Sequence, residues 1–411
     1  MSNEALSRRD FLGHLAGCAM TAAIPPTLLN FSREADSRPS ILLIATEGLA
    51  LRDLGCYGNP DARTPFLDAL ADQGLRFIDF HSNSPVCDPT HVGTLTGRYP
   101  QRLAYQASMA RSHQDPGLIL RVPAFTDLLQ AHGYAVGIST QQFASAGAER
   151  CTIRQANSVD LYPDFFISPV VLRDDTALTA FNESLSSRAD EFIGANRCGP
   201  FLLYLQYAAS TIQDVPITER ISRVERLDAV MGKVISKLTS AVAPSNRFIF
   251  FLSNCGARVT CLSQALRGGR GSLWEGGHRV PAIASWPGRI GMAARSDALT
   301  SNLDLYPTVL AAAGVPLAAA AERIDGLNLF HRLDQNQRQP VRTLFWSYSG
   351  SRAVRQGSWK YLLNRGGDHK GEYLFNLERD IREESNLVNE NREQAQSLRE
   401  ILRAWEAGLE C

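Results

Sequence analysis

The sequence predicts an α/β fold, in which a doubly wound, mostly parallel sheet is flanked by helices and followed by a smaller C-terminal antiparallel sheet plus a helix. Three observations lead to this prediction: short unbroken apolar runs, helical periodicity between those runs, and a change after about residue 330 to short strand candidates separated by turns. The chain has 411 residues, of which 44% are hydrophobic and 20% are charged. It is therefore long enough for one large domain and a smaller one.

The apolar runs of the first part predict strands that are buried on both faces. They are continuous rather than alternating, which is typical of strands in the interior of a parallel sheet. The predicted strands cover residues 40–45, 135–139, 201–207 and 248–252. Helical periodicity lies at residues 65–73, 124–132, 177–193 and 221–238. Strands that alternate with helices in this way indicate a doubly wound sheet.

Polar residues follow two of the predicted strands, and these positions predict where a ligand would bind. Glu47 comes directly after the first strand, and Asn254 follows the strand at 248–252. Because ligands of doubly wound sheets bind outside the carboxyl ends of the strands, we expect Glu47, Asn254 and Cys87 to converge there.

The sequence pattern of the last 80 or so residues predicts a separate α+β unit. Short strand candidates at 344–346, 352–354, 359–363 and 373–377 are separated by Gly, Ser and Asn turns, and a long amphipathic helix covers Arg392–Ala407. We therefore divide the chain into a segment 1–35, an α/β domain 38–330 and a C-terminal subdomain 340–411.

Composition excludes several classes of partner. The formal net charge is zero, with 42 basic and 42 acidic residues, so no overall field favours nucleic acid or an anionic membrane. The sequence contains no zinc-like Cys/His spacing, no internal repeat and no apolar run of about 18 residues that would predict a transmembrane span.

Residues 1–35 are predicted to be a targeting segment rather than part of the fold. The stretch Ser7-Arg8-Arg9-Asp10-Phe11-Leu12 matches a twin-arginine export motif, and a weakly apolar run and two prolines follow it. Leu15-Ala16-Gly17-Cys18 fits a lipobox, which would make Cys18 a lipid anchor; cleavage further along is the alternative. An N-terminal amphipathic helix is the structural alternative. We expect export by the twin-arginine route to the periplasm or cell envelope.

The cysteines leave the redox state open. The chain has eight, and seven of them lie beyond Cys18. An oxidising compartment permits one or more disulfides among them, but the sequence assigns no pairs. Free buried thiols are the alternative.

Residues 84–100, SPVCDPTHVGTLTGRYP, carry the most specific pattern of the chain. The turn and the helical spacing after it place Cys87 at a helix N-terminus, where unpaired N–H groups and the helix dipole favour an anion. The stretch resembles the type I sulfatase signature of the alkaline phosphatase superfamily, Cys-x-Pro-Ser-Arg-x-x-x-Leu-Thr-Gly-Arg, with Thr90 and His91 in place of Ser and Arg. The resemblance implies that Cys87 is the position that the family oxidises to formylglycine.

Further blocks along the chain resemble the sulfatases in the family's own order, and together they cover nearly all of the sequence after the targeting segment. These blocks are residues 53–58, 64–65, 95–100, 274–281, 304–308 and 355–360, followed by 374–377 with Glu383, Glu384 and Asn386. The resemblance implies the sulfatase fold and, as the family reaction, the hydrolysis of sulfate esters.

The metal positions that the resemblance implies are largely substituted. The family binds calcium with two consecutive aspartates after the first strand and an Asp-Asn pair after a later strand. Glu47-Gly48 and Asn254-Cys255 stand there in this chain. Calcium prefers about 6–8 oxygen ligands, mostly from carboxylates, and thiols suit it poorly. We therefore name Glu47 and Asn254 as the candidate metal ligands and expect Ca²⁺ binding to be weak or absent.

The cationic positions of the family are also largely replaced. Residues 140–143, TQQF, stand where the family has Gly-Lys-Trp-His; Ser210-Thr211 replaces a Pro-His pair, and Arg270 replaces a lysine. Arginine keeps the charge and the ability to bind sulfate or phosphate, but it is not a proton donor. Arg270, and His91 when it is protonated, are the cations that we expect at the site.

Three interpretations of Cys87 remain open. It is a formylglycine precursor, although His91 breaks the Cys-x-Pro-x-Arg pattern of maturation; or a thiolate nucleophile activated by the helix N-terminus; or an unmodified, inert thiol. The candidate catalytic residues are thus Cys87, His91 and Arg270.

Two hypotheses about function follow. The first is a pseudoenzyme of sulfatase architecture with a binding or structural role. The alternative is an active sulfatase, or a related sulfo- or phosphoester hydrolase, that uses Cys87 in a modified site. In either case the resemblance implies a sulfated glycan or another small sulfate or phosphate ester as partner.

Overall fold

The structure is a computed structural model, and it describes residues 38–103, 122–143, 149–155, 175–209, 215–258, 266–320, 323–333, 340–366 and 369–409. The predicted targeting segment, with its proposed anchor at Cys18, lies outside the described residues. So do Ser210 and Thr211.

The first and largest sheet has eight strands, which are β1 Ser40–Thr46, β2 Leu75–Phe77, β4 Ala135–Phe143, β5 Glu149–Gln155, β6 Phe201–Tyr207, β7 Arg247–Ser253, β8 Ala282–Ser285 and β9 Ala294–Ser296. Their order in the sheet is β5-β4-β6-β1-β7-β8-β2-β9. The centre of the sheet, from β4 to β7, is parallel, whereas β5 and β8 pair antiparallel with their neighbours. The predicted, mostly parallel α/β sheet is confirmed.

Helices cover both faces of this sheet. They are α1 Pro65–Asp72, α2 Cys87–Thr96, α3 Phe125–Ala131, α4 Asp175–Asn196, α5 Ile217–Ala241, α6 Glu275–His278, α7 Leu305–Ala312 and α8 Leu329–Arg332. Every residue of β1 is buried, and its side chains alternate between two apolar cores: Leu43 packs with α3 and α7, and Leu42 with α4 and α5. This burial on both faces explains why the strand is an unbroken apolar run.

A second sheet of four antiparallel strands and a closing helix form the C-terminal part. The strands are β11 Thr343–Tyr348, β12 Ser351–Gln356, β13 Trp359–Asn364 and β14 Gly371–Asn376, and the helix is α9 Arg392–Ala407. A short pair, β3 Phe80–His81 with β10 Thr300–Ser301, completes the strands of the described residues. Tyr99 and Leu303 share an apolar cluster with α9. The predicted C-terminal antiparallel sheet and helix are confirmed, while the domain boundaries stay a prediction.

Gly97 ends α2, the helix that carries Cys87, and we expect Gly97→Ala to destabilise the protein. Its φ is +67°, in the left-handed region, and an added Cβ would lie 2.8 Å from the Cβ of Tyr306. We predict a loss of about 1–3 kcal/mol in unfolding free energy, measured by chemical denaturation. The matched control is Gly194→Ala within α4, where an added Cβ meets nothing within 4 Å; we expect that variant to be neutral or slightly more stable. Equal stability of both variants would contradict the prediction.

Candidate functional site

The candidate metal ligands, Glu47 and Asn254, lie at the carboxyl ends of two central strands of the large sheet. β1 and β7 are parallel neighbours, with Thr46 paired to Ser253, so Glu47 and Asn254 are the next residues along each strand. The backbone N–H of Asn254 donates to the carbonyl of Thr46 over 2.8 Å. The strand ends therefore bring these two residues together, as expected for a parallel sheet.

The helix α2 brings Cys87 to the same place. Cys87 is the first residue of α2 and follows an extended Val86. Its Sγ lies 2.9 Å from the Sγ of Cys255, the residue after Asn254. Both thiols are buried, with 2% and 0% of their residue surface exposed. Sequence reasoning treated Cys255 only as a poor calcium ligand and missed this pairing.

The two thiols influence each other's protonation. The hydrogen bond with Cys255, together with burial, raises the pKa of Cys87 well above its ordinary value. The same hydrogen bond, aided by the charge of Arg270, lowers the pKa of Cys255. Burial and this hydrogen bond thus oppose ionisation of Cys87, and the interpretation of Cys87 as a thiolate nucleophile stays a prediction.

Arg270 supplies positive charge next to the thiols. Its backbone N–H donates to the carbonyl of Ala257, and its Nη1 lies 3.8 Å from Oε2 of Glu47. Negative charge at the two thiols raises the pKa of Arg270 further, so it stays protonated. Burial raises the pKa of Glu47 to about 7 despite Arg270. Glu47 is therefore close to half protonated at neutral pH.

His91 is not the second cation that we expected. Its Nδ1 lies 2.9 Å from the hydroxyl of Tyr204, and the side-chain amide of Asn254 donates to its Nε2 over 3.0 Å. The side-chain amide of Gln206 also contacts the ring. Burial lowers the pKa of His91 to about 3, because the ring is dehydrated and faces neutral groups. His91 is neutral at physiological pH. Sequence reasoning missed Tyr204 and Gln206, although both lie near the carboxyl end of the predicted strand 201–207.

The residues at the strand ends do not fit calcium. In the described part of the chain the acidic groups here are Glu47 and Asp88, and burial raises the pKa of both. The guanidinium of Arg270 faces Glu47, and a thiol stands at Cys255. Asn254 Oδ1 is a buried oxygen without a hydrogen-bond partner, but one amide oxygen and two carboxylates are fewer oxygen ligands than calcium prefers.

A second buried group, His81 with Glu275 and His278, has the composition of a metal site, with ligand atoms within 4.8 Å of one another. These atoms already have partners. Lys360 Nζ lies 3.0 Å from Glu275 Oε1 and 3.1 Å from His278 Nε2. An ammonium in that position repels a metal ion, so we assign this group to the buried charge network of the fold. His81 therefore lies in this network rather than among the candidate site residues.

The candidate residues are recessed from the surface. A cleft of about 750 Å³ opens nearby, lined in part by Arg52, Arg76 and Arg295. Glu47, Cys87, His91, Asn254 and Arg270 are absent from its lining. Arg270, by contrast, has 27% of its side chain exposed.

We expect Glu47→Gln to change how stability depends on pH. Glu47 keeps its proton in the folded state up to about pH 7, whereas the unfolded chain releases it near the ordinary value. Stability therefore falls as pH rises through this window, and glutamine removes that fall. We predict that the variant gains up to about 3 kcal/mol over the parent between pH 5 and pH 8. Denaturation at both pH values, in chelator-treated buffer, checks this; parallel pH curves for the two proteins would contradict it.

Comparison with known proteins identifies the family to which the chain belongs. The family model described as Sulfatase matches residues 39–315, which is well over half of the chain. The chain therefore belongs to the sulfatase family.

Individual relatives agree with this membership. Human arylsulfatase A is 28% identical over 390 residues, covering 80% of this chain and 76% of that protein. Among solved structures, the PsFucS1 sulfatase from Pseudoalteromonas sp. is similar, with a TM-score of 0.72, 20% identity and coverage of 91% of each chain. The phosphonate monoester hydrolase of Agrobacterium radiobacter shares the fold, with a TM-score of 0.64, 15% identity and coverage of 90% of this chain and 96% of that one. Within the described residues, no helix is long and apolar enough to cross a membrane.

Proposed function

We propose that this chain is a non-hydrolytic member of the sulfatase family, which binds a sulfate or phosphate ester at Arg270. The observation that carries the proposal is the contact between Cys87 Sγ and Cys255 Sγ, 2.9 Å apart and buried. The resemblance implies a formylglycine at Cys87 and a calcium ligand at Cys255, and a contact between two thiols at these positions supports a role without hydrolysis.

The chemistry of sulfate esters supports the proposal. A sulfate monoester carries negative oxygens that repel an attacking anion, so hydrolysis needs an activated nucleophile together with strong positive charge. Here the pKa of Cys87 is raised, the pKa of His91 is lowered to about 3, and the oxygen ligands do not fit calcium. These features argue against an activated nucleophile and a metal cage among the described residues.

Binding of such an ester without hydrolysis requires a positively charged hydrogen-bond donor, and Arg270 supplies one. A guanidinium offers two parallel N–H donors to a sulfo or phospho group and stays charged at all physiological pH values. Arg270 is partly exposed, and the raised pKa of Glu47 weakens the competing carboxylate.

A sulfated glycan is the ligand class we favour. N-acetylgalactosamine-6-sulfatase from dog is 28% identical to this chain over 378 residues. A solved fold relative, i-CgsB, was determined in complex with a neocarrahexaose. Export by the twin-arginine route to the periplasm or envelope, with Cys18 as a lipid anchor, would bring the protein to such glycans.

An assay of hydrolysis tests the proposal. We expect the purified full chain to release no 4-nitrophenol from 4-nitrophenyl sulfate, with or without calcium, and Cys87→Ala to behave in the same way. Turnover that depends on calcium and disappears in Cys87→Ala would overturn the proposal.

The same assay addresses the alternative of an active hydrolase. The observation in its favour is the position of Cys87 at the N-terminus of α2, with the positive charge of Arg270 beside it. Under that alternative, 4-nitrophenyl phosphate or sulfate is turned over by the parent and not by Cys87→Ala.

A further inference from the structure

The paired thiols Cys87 and Cys255 suggest a covalent modification of the site. We propose that these two residues form an intramolecular disulfide, made when the chain meets a disulfide oxidant, and that this bond closes the position of the family's nucleophile. This inference goes beyond the proposed function and does not depend on the identity of the ligand.

The geometry requires little change for the bond to form. The sulfurs are 2.9 Å apart, compared with about 2.05 Å in a disulfide. Cys87 is fixed as the first residue of α2. Cys255 is held by its carbonyl, which accepts from the hydroxyl of Ser253, and by the N–H of Asn254, which donates to β1. Bond formation brings the two sulfurs closer by about 0.9 Å.

A metal shared by the two sulfurs fits less well. Zinc held at about 2.3 Å by two thiolates in a tetrahedron separates the sulfurs by about 3.8 Å, which is wider than the contact in this structure. The guanidinium of Arg270 also lies close enough to the thiols to stabilise negative charge on them, and it would repel a bound cation.

The reaction balances with a small-molecule disulfide as the oxidant. Both sulfurs are buried in the folded chain, so the exchange takes place when this part of the fold opens. The thiolate of one of the two cysteines attacks one sulfur of the oxidant, forming a mixed disulfide and releasing one thiolate. The other cysteine then loses its proton and attacks the sulfur of the first, which releases the second thiolate. In total, the protein loses two protons and two electrons, and the oxidant becomes two thiols.

The bond would join distant parts of the chain. Cys87 and Cys255 are 168 residues apart in sequence, so the crosslink ties the start of α2 to the end of β7. Constraining so long a loop restricts the unfolded chain. We therefore expect the oxidised protein to melt at a higher temperature than the reduced protein.

Peptide mapping of the full chain tests the proposal. The protein is equilibrated with defined ratios of reduced and oxidised glutathione, quenched with acid, unfolded, alkylated and digested. We expect a linked pair of peptides containing Cys87 and Cys255, lighter by two hydrogens than the two thiol peptides together. Cys198, which is exposed, serves as the internal control and should carry the alkyl group or glutathione rather than a link to either residue.

Cysteine-to-serine variants distinguish the disulfide from the other possible outcomes. Cys87→Ser and Cys255→Ser should each lose the link and leave the remaining thiol open to alkylation, whereas Cys198→Ser should keep the link. Two unlinked thiols at every glutathione ratio would overturn the disulfide while leaving the proposed function intact. Protection that a chelator removes without any mass change would show a metal site instead and would also overturn it. Formylglycine at Cys87 would overturn both the disulfide and the proposed function.

Discussion

Replacing Lys360 with methionine is expected to lower the unfolding free energy by about 3–5 kcal/mol, because it removes the buried ammonium that lies between the carboxylates of Glu275 and Glu383. Lys360 Nζ lies 3.0 Å from Glu275 Oε1 and 2.8 Å from Glu383 Oε1, and all three side chains are fully buried. Lys360 also contacts His278, so one substitution disturbs several polar groups at once. Chemical denaturation at pH 7.5 measures the loss.

The effect depends on burial, and a surface pair provides the control. Lys233 Nζ lies 3.9 Å from Glu183 Oε1, and both side chains are more than half exposed. Lys233→Met removes the same charge, and we expect it to change stability by less than about 1 kcal/mol. If the Lys360 variant were as stable as the Lys233 variant, the network around Glu275 would contribute nothing to the fold.

This network also explains how the C-terminal sheet is attached. Lys360 lies on β13 and Arg355 on β12, while Glu275 begins α6 and Asp79 lies next to β3. Arg355 makes two hydrogen bonds to Asp79, of 2.6 and 2.8 Å. Loss of Lys360 is therefore expected to loosen the contact between the C-terminal sheet and the start of α6, which hydrogen exchange along β12 and β13 would report.

Replacing Arg270 with methionine is expected to weaken the binding of a sulfate ester at least about tenfold, since paired hydrogen bonds from a guanidinium to an anion are among the stronger polar contacts. The same change removes positive charge from a site that contains Glu47, Asp88 and Cys255. The remaining charges would then repel the ligand. Calorimetric titration with 4-nitrophenyl sulfate or a sulfated oligosaccharide measures the affinity.

Two further variants make this prediction specific. Arg295→Met removes one positive charge from an exposed position on β9, and it should leave the affinity unchanged. Arg270→Lys keeps the charge but loses the paired donors, so we expect intermediate affinity. Equal affinity for all the variants would mean that the ligand does not bind at Arg270.

The fold could be predicted well from the sequence because its strands are strongly patterned. The run at 201–207 and the C-terminal helix have the predicted bounds, Phe201–Tyr207 and Arg392–Ala407. The strand predicted at 135–139 continues to Phe143. It is longer because it pairs antiparallel with β5, and a single apolar run does not reveal such a partner.

The site could be predicted only in part. The convergence of Glu47, Asn254 and Cys87 follows from the parallel sheet and from the helix after the turn. The protonation states do not follow, because they depend on what lies against each group. Burial lowers the pKa of His91, and Cys255, far away in sequence, raises the pKa of Cys87 through a hydrogen bond.

The mass of the peptide that spans Cys87, taken from protein purified from its own host and fully reduced, tests the central claim most directly. We predict the mass of an unmodified cysteine at Cys87, consistent with a buried thiol beside Cys255 and with His91 in place of the family's arginine. A mass matching the formylglycine aldehyde would contradict the claim, since it would show that the family's nucleophile is made in this chain.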